Sequence, residues 1–156
     1  MPTVLNKQPI FTATPLLITS QFDPVIPTSL RGPGMDNTTR IFTDSTTYGS
    51  LITKVTVVST GLIGERVTTK VIYLGIKDAD SNIISLYQSK IMTGINGLTS
   101  TDIVPYVTFT FDGGLVMSPN NGRRIVIAAS TNWNNTGENG DQISVIVEGG
   151  TYDQPA

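Results

Sequence analysis

"IVPYVTFTF", residues 103–111, alternates more cleanly than any other stretch of the chain. Val107, Phe109 and Phe111 fall on one side of an extended backbone, and Thr108 and Thr110 fall on the other. Successive side chains of a strand point to opposite faces, so a period of two marks a strand with one buried side. The period recurs in "QISVIVEGG" (142–150), where Ile143, Val145 and Val147 share a face, and "RRIVIAAST" (123–131) lies between the two. Val107, Phe109, Phe111, Ile125, Ile127, Ile143, Val145 and Val147 are therefore the expected core.

Upstream the pattern is strand after strand: "TTRIFT" (38–43), "LITKVTVVST" (51–60), "VTTKVIYLGIK" (67–77) and "NIISLYQSKIM" (82–92). These runs are rich in β-branched residues, which fit a pleated surface. Between them stand "STGLIGERV", "KDADSN", "TGINGLTSTD", "FDGG", "SPNNGR" and "NWNNTGENGD". Gly, Asn and Asp there supply turns. No segment sustains a helical period. The expected fold is all-β: an antiparallel β-sandwich or jelly-roll-like domain of about seven to nine strands over residues 36–156.

Residues 1–35 read differently. Six of the nine prolines lie there: Pro2, Pro9, Pro15, Pro24, Pro27 and Pro33. Proline lacks an amide donor and pushes the preceding residue toward extended conformations. The segment is expected to be an extended arm, joined to the body through "RGPGMDN" (31–37). Ile10, Phe11, Leu16, Leu17, Ile18, Phe22, Val25 and Ile26 need burial in that arm. They lie against either the chain's own sandwich or another subunit, and they are the candidate interface residues.

The 156 residues suffice for one domain, with 38% apolar residues to build its core. Only 14% are charged and the formal net charge is −2, so no long-range field attracts nucleic acid. The chain has no cysteine and no histidine. Disulfides, His- or Cys-based zinc sites, a Ser-His-Asp triad and a Cys nucleophile are excluded. The opening "MPTVLNKQPIFTATPLL" does not read as a secretory signal, and no apolar run approaches the ~20 residues that span a bilayer.

Few stretches look chemical. In "KDADSN", Asp78, Asp80 and Asn82 alternate as calcium ligands do. An EF-hand loop starting at Asp78 needs Gly sixth and Glu twelfth, and those positions hold Ile83 and Ser89. The stretch reads as a hairpin turn. "GLIGER" (61–66) lacks the Gly-Lys-Ser/Thr ending of a phosphate loop and also reads as a turn. Glu is scarce (Glu65, Glu138 and Glu148), which disfavours a carboxylate-pair glycosidase. Trp133, in a polar loop, is a candidate surface contact, either as a carbohydrate platform or as a plug at a sandwich end or subunit interface.

Residues 38–153 resemble a group of small virion structural proteins of tailed bacteriophages. The resemblance lies in "SLITKVTVVSTGLIGERVTTKVIYLGIKDADSNIISLYQSKI" (50–91), "FDGGLVMSPNNGRRIVIAAST" (111–131) and the closing "ISVIVEGGTYD" (143–153). It implies a capsid decoration (cement) protein or a tail-associated protein, with no catalytic residues to carry over. The expected function is non-enzymatic: clamping neighbouring major capsid subunits by arm or strand addition and apolar burial. Tail, neck or fibre-associated proteins and a host-surface glycan-binding module are the alternatives. The expected partner is the major capsid protein of a tailed phage, with the chain itself a homo-oligomer. No cofactor, nucleic acid, membrane or small-molecule substrate is expected. The expected location is the outer capsid surface of the virion, after assembly in the host cytoplasm.

The turn reading of "KDADSN" is open to calorimetry. Calcium is expected to bind no tighter than the millimolar range of weak extracellular sites. Micromolar binding abolished by Asp80→Ala would overturn it.

Overall fold

The computed structural model describes residues 14–22, 39–43, 47–60, 64, 66–77, 84–118, 122–130 and 142–152. They form eight strands: β1 (Thr14–Phe22), β2 (Thr39–Thr43), β3 (Ser50–Thr60), β4 (Lys70–Lys77), β5 (Ile84–Met92), β6 (Tyr106–Met117), β7 (Arg124–Ala129) and β8 (Gln142–Thr151). No helix occurs among the described residues.

The pairing has a simple logic. β4 pairs with β5, β3 with β6, β2 with β7 and β1 with β8, all antiparallel. These are four successive levels of one long hairpin folded at the β4–β5 connection. Rolling that hairpin sets β3 beside β8 and β4 beside β7. The result is two four-stranded sheets, ordered β1-β8-β3-β6 and β2-β7-β4-β5. An eight-stranded double sheet so wound is a jelly roll.

The core lies between the sheets. All eight residues expected there from their alternation belong to the central buried cluster, together with Ile52, Val55, Val57, Ile72, Leu74, Met92 and Met117. β7 is buried from Ile125 to Ala129 without alternation, as its unbroken apolar run "IVIAA" requires of a strand covered on both faces.

One segment departs from the sequence expectation. "FDGG" does not end a strand. β6 continues through it, and the extra residues between Thr110 and Leu115 bulge out opposite Thr53. Gly113 and Gly114 accommodate the bulge with positive φ of 73° and 82°, a region that costs glycine little. β1 takes one of the two alternatives that the sequence leaves open for the arm. It comes from the proline-rich arm yet pairs with β8 in unbroken register from Thr14↔Thr151 to Phe22↔Ile143. For Thr14–Phe22, then, the neighbour is the chain's own sheet. Pro15 is tolerated because it sits near the start of an edge strand.

The roll sorts the connections by length. Those at one end of the sandwich run over residues 44–49, 78–83 and 118–123, six residues each. Those at the other end run over 23–38, 61–69, 93–105 and 130–141, nine residues or more. Loops carry function more often than the strands that hold them, so the long-loop end is the place to look for a site.

Phe109 has no exposed surface and sits mid-strand in β6. Phe109→Ala is expected to cost roughly 3–5 kcal/mol, measured by urea denaturation. A loss below about 1 kcal/mol, usual at surface positions, would contradict its place in the core.

Candidate functional site

Of the candidate interface residues, Leu16, Leu17, Ile18 and Phe22 lie on β1. Leu16 and Ile18 pack against the core cluster, while Leu17 is 66% exposed on the opposite face. The alternation of a strand produces this division. Ile10, Phe11, Val25, Ile26 and Trp133 lie outside the described residues, as do Asp78, Asp80 and Asn82. Among the described residues no group of three His, Cys, Asp or Glu gathers where a metal ion could be held.

The outer face of the first sheet is weakly charged. Register lines up Leu17, Glu148, Lys54 and Thr110 in one row and Thr19, Ile146, Thr56 and Thr108 in the next. Lys54 and Glu148 form a 2.9 Å ion pair, and the Thr56 and Thr108 hydroxyls lie 3.5 Å apart. The half-exposed ion pair contributes at most about 1 kcal/mol, but it cancels the charges of that row.

The β5 and β6 edges close against each other. Lys90 of β5 reaches across, donates from Nζ to the Thr108 carbonyl and lies 5.5 Å from the centre of the Phe109 ring. Nearby, the Tyr87 and Phe111 rings meet at 4.9 Å, tilted by 41°. The ammonium thus occupies an acceptor on the β6 edge and gains from the negative ring face beneath it. A lysine so placed blocks edge-to-edge pairing. The sequence signal for this was present in "SLYQSK", where polar residues fall on both faces, as on an edge strand.

An apolar patch opens at the long-loop end. Ile103 is 81% exposed, Ile91 67% and Tyr106 60%, and Val104 joins them. With Pro105 and residues 93–95 they line a shallow groove of about 340 Å³. The loop carrying Ile103 is anchored. Val67 and Ile95 exchange backbone hydrogen bonds of 2.8 and 2.9 Å, and the Gly64 amide donates to the Leu98 carbonyl. Asp102 accepts from the Thr99 amide at 2.7 Å and from its hydroxyl at 2.8 Å. Those two bonds, the backbone one first, hold the Asp102 carboxyl below the usual aspartate range. The patch is therefore presented on a braced loop. The alternation of "IVPYVTFTF" puts Ile103 and Val104 in a strand, but β6 begins only at Tyr106. Pro105 was the signal against it, because proline is unfavourable inside a paired strand.

No family model matches the chain, and no curated protein matches it. Among solved structures, it is similar to the VP2 subviral particle of infectious bursal disease virus, with 18% identity over 90% of this chain and a TM-score of 0.32. It is also similar to a chain of a viral particle of the same virus, with 13% identity over 90% of this chain and a TM-score of 0.28. The chain spans about a third of the length of these two, 34% and 36%. The jelly roll stands on its strand order.

Replacing Lys90 by threonine keeps a strand-forming residue and removes the edge charge. Lys90→Thr is expected to leave stability within about 1 kcal/mol, as for other exposed positions, and to raise concentration-dependent light scattering. Unchanged solubility would show that the β6 edge is protected by something else.

Proposed function

We propose that this protein is a non-enzymatic structural component of a virus particle. In this reading it is a cement protein on the outer surface of a tailed-phage head, where it clamps neighbouring major capsid subunits. The observation that carries the reading is the braced apolar patch of Ile91, Ile103, Val104 and Tyr106. Contiguous exposed apolar surface of this kind marks protein contact sites, and the chain has little charge with which to recognise anything else. Full burial contributes about 1.5–3 kcal/mol per large apolar side chain in gross terms. Association and ordering costs offset much of that, so useful strength comes from many copies acting on one shell.

The arm serves the same end. Leu16 and Ile18 seat β1 on the chain's own core, while the exposed Leu17 and Ile10, Phe11, Phe22, Val25 and Ile26 supply strand addition and apolar burial between neighbouring subunits, where main-chain hydrogen bonds give affinity and alternate side chains give register. Trp133 is a further contact. The reading needs no cofactor, nucleic acid, membrane or small-molecule substrate, and it places assembly in the host cytoplasm.

Two measurements test the proposal. The copy number of the chain on purified particles is expected to be in the hundreds; a few to some tens would place it at the tail, neck or fibre instead. The double variant Ile103→Asp, Tyr106→Ala is expected to melt as the native protein does but to be lost from particles. Undiminished decoration by that variant would remove the patch from the mechanism, and selective binding on a glycan array would favour a host-surface module.

A further inference from the structure

Each sheet of the sandwich has two edges, and three of the four are protected. β5 and β6 face each other across the seam that Lys90 and Tyr87 close. β2 has only five residues and a register shift between Arg40 and Phe42. Short, irregular or lysine-capped edges are the usual protections against unwanted pairing. β1 has only Pro15, which removes one donor next to the start of the strand and leaves the rest of the edge open. It is nine residues long, "TPLLITSQF", without a charged residue. Its ladder with β8 runs without a bulge, and among the described residues no strand pairs with its far edge. Pro15, Leu17 and Thr19 are exposed along it.

From this we infer that β1 pairs with β1 of a second copy, antiparallel about a two-fold axis through Thr19. The inference rests on reading the arm as an assembly element, and it names the partner as another copy of this chain. Among the described residues no strand takes up the outward backbone donors and acceptors of β1, so the complement of that edge is another strand. Two-fold pairing is the commonest form of self-association and requires a surface that complements itself. An uncharged strand does so, because like charges set opposite each other would oppose the pairing. A two-fold at Thr19 sets Leu16 opposite Phe22, Leu17 opposite Gln21 and Ile18 opposite Ser20. It leaves Pro15, which cannot donate, at the end of the ladder. The two β1-β8-β3-β6 sheets become one sheet of eight strands, within the usual range for open sheets. The dimer carries two apolar patches, as bridging two capsid subunits requires.

The absence of cysteine from the chain makes the register directly testable. Directly opposed Cα atoms lie about 4.5–5.5 Å apart, within the span of a disulfide. Thr19→Cys is expected to form a disulfide-linked dimer under mild oxidation. Leu17→Cys, whose two copies would lie about 13 Å apart at strand rise, is expected to stay uncrosslinked. Sedimentation of the native protein at micromolar concentration is expected to show a dimer. Leu17→Lys, at an exposed position, is expected to return it to monomer with an unchanged melting temperature. A native monomer, a dimer that persists in Leu17→Lys, or crosslinking that is equal or absent at positions 17 and 19 overturns the inference. Failure here is distinct from failure of the cement reading: a monomer that still decorates particles removes only the β1 pairing, and a dimer that does not decorate removes only the cement role.

Discussion

The fold depends on β3 lying beside β8. The four levels of the hairpin pair strands that follow from local chain reversal, but a hairpin alone leaves each apolar face open to water. Setting β3 against β8, with residues far apart in sequence aligned from Ser50↔Thr151 to Thr60↔Gln142, turns the ribbon over on itself and gives each sheet a facing layer. Gly149 permits that contact. A Cβ at Gly149 would stand 1.9 Å from the Leu51 carbonyl oxygen, too near for any side chain. Gly149 is therefore a condition of close strand approach and not part of a turn.

Much of the architecture was legible in the sequence because burial on one face imposes a period of two. Val107, Phe109, Phe111, Ile143, Val145 and Val147 announce their strands in that way. β1 was harder to see. Its prolines argue against interior strands, and only its edge position reconciles Pro15 with a ladder. "FDGG" has turn chemistry and becomes a bulge, since the same positive-φ glycines serve both, and only the partner strand decides between them. The apolar patch was hidden for a related reason. Ile103 and Val104 look like strand residues until their lack of a pairing neighbour is known, and pairing is a long-range property.

Low charge shapes the surface as much as the core. A protein with few ions has few means of keeping its sheet edges apart, so the individual placements count. Lys90 is one cation set on a carbonyl and a ring at once, and Lys54 and Glu148 neutralise each other on the outer face. On the outer face of the first sheet, the rows through Leu17 and Thr19 otherwise carry Thr110, Ile146, Thr56 and Thr108, which repel little. Such a surface packs readily against protein of either charge, and its discrimination then comes from shape and backbone pairing instead of field.

The register of β1 and β8 has a geometric consequence. Thr14 and Thr151 are paired residues, so the chain enters and leaves the sandwich side by side, at the end with the six-residue connections. The apolar patch lies at the opposite pole. A guest domain tethered at either point would project away from the patch, and a short bridge between the two points would close the chain into a ring. On the reading proposed above, one pole of the molecule is the adhesive one, and the chain can be extended from the other pole without covering it.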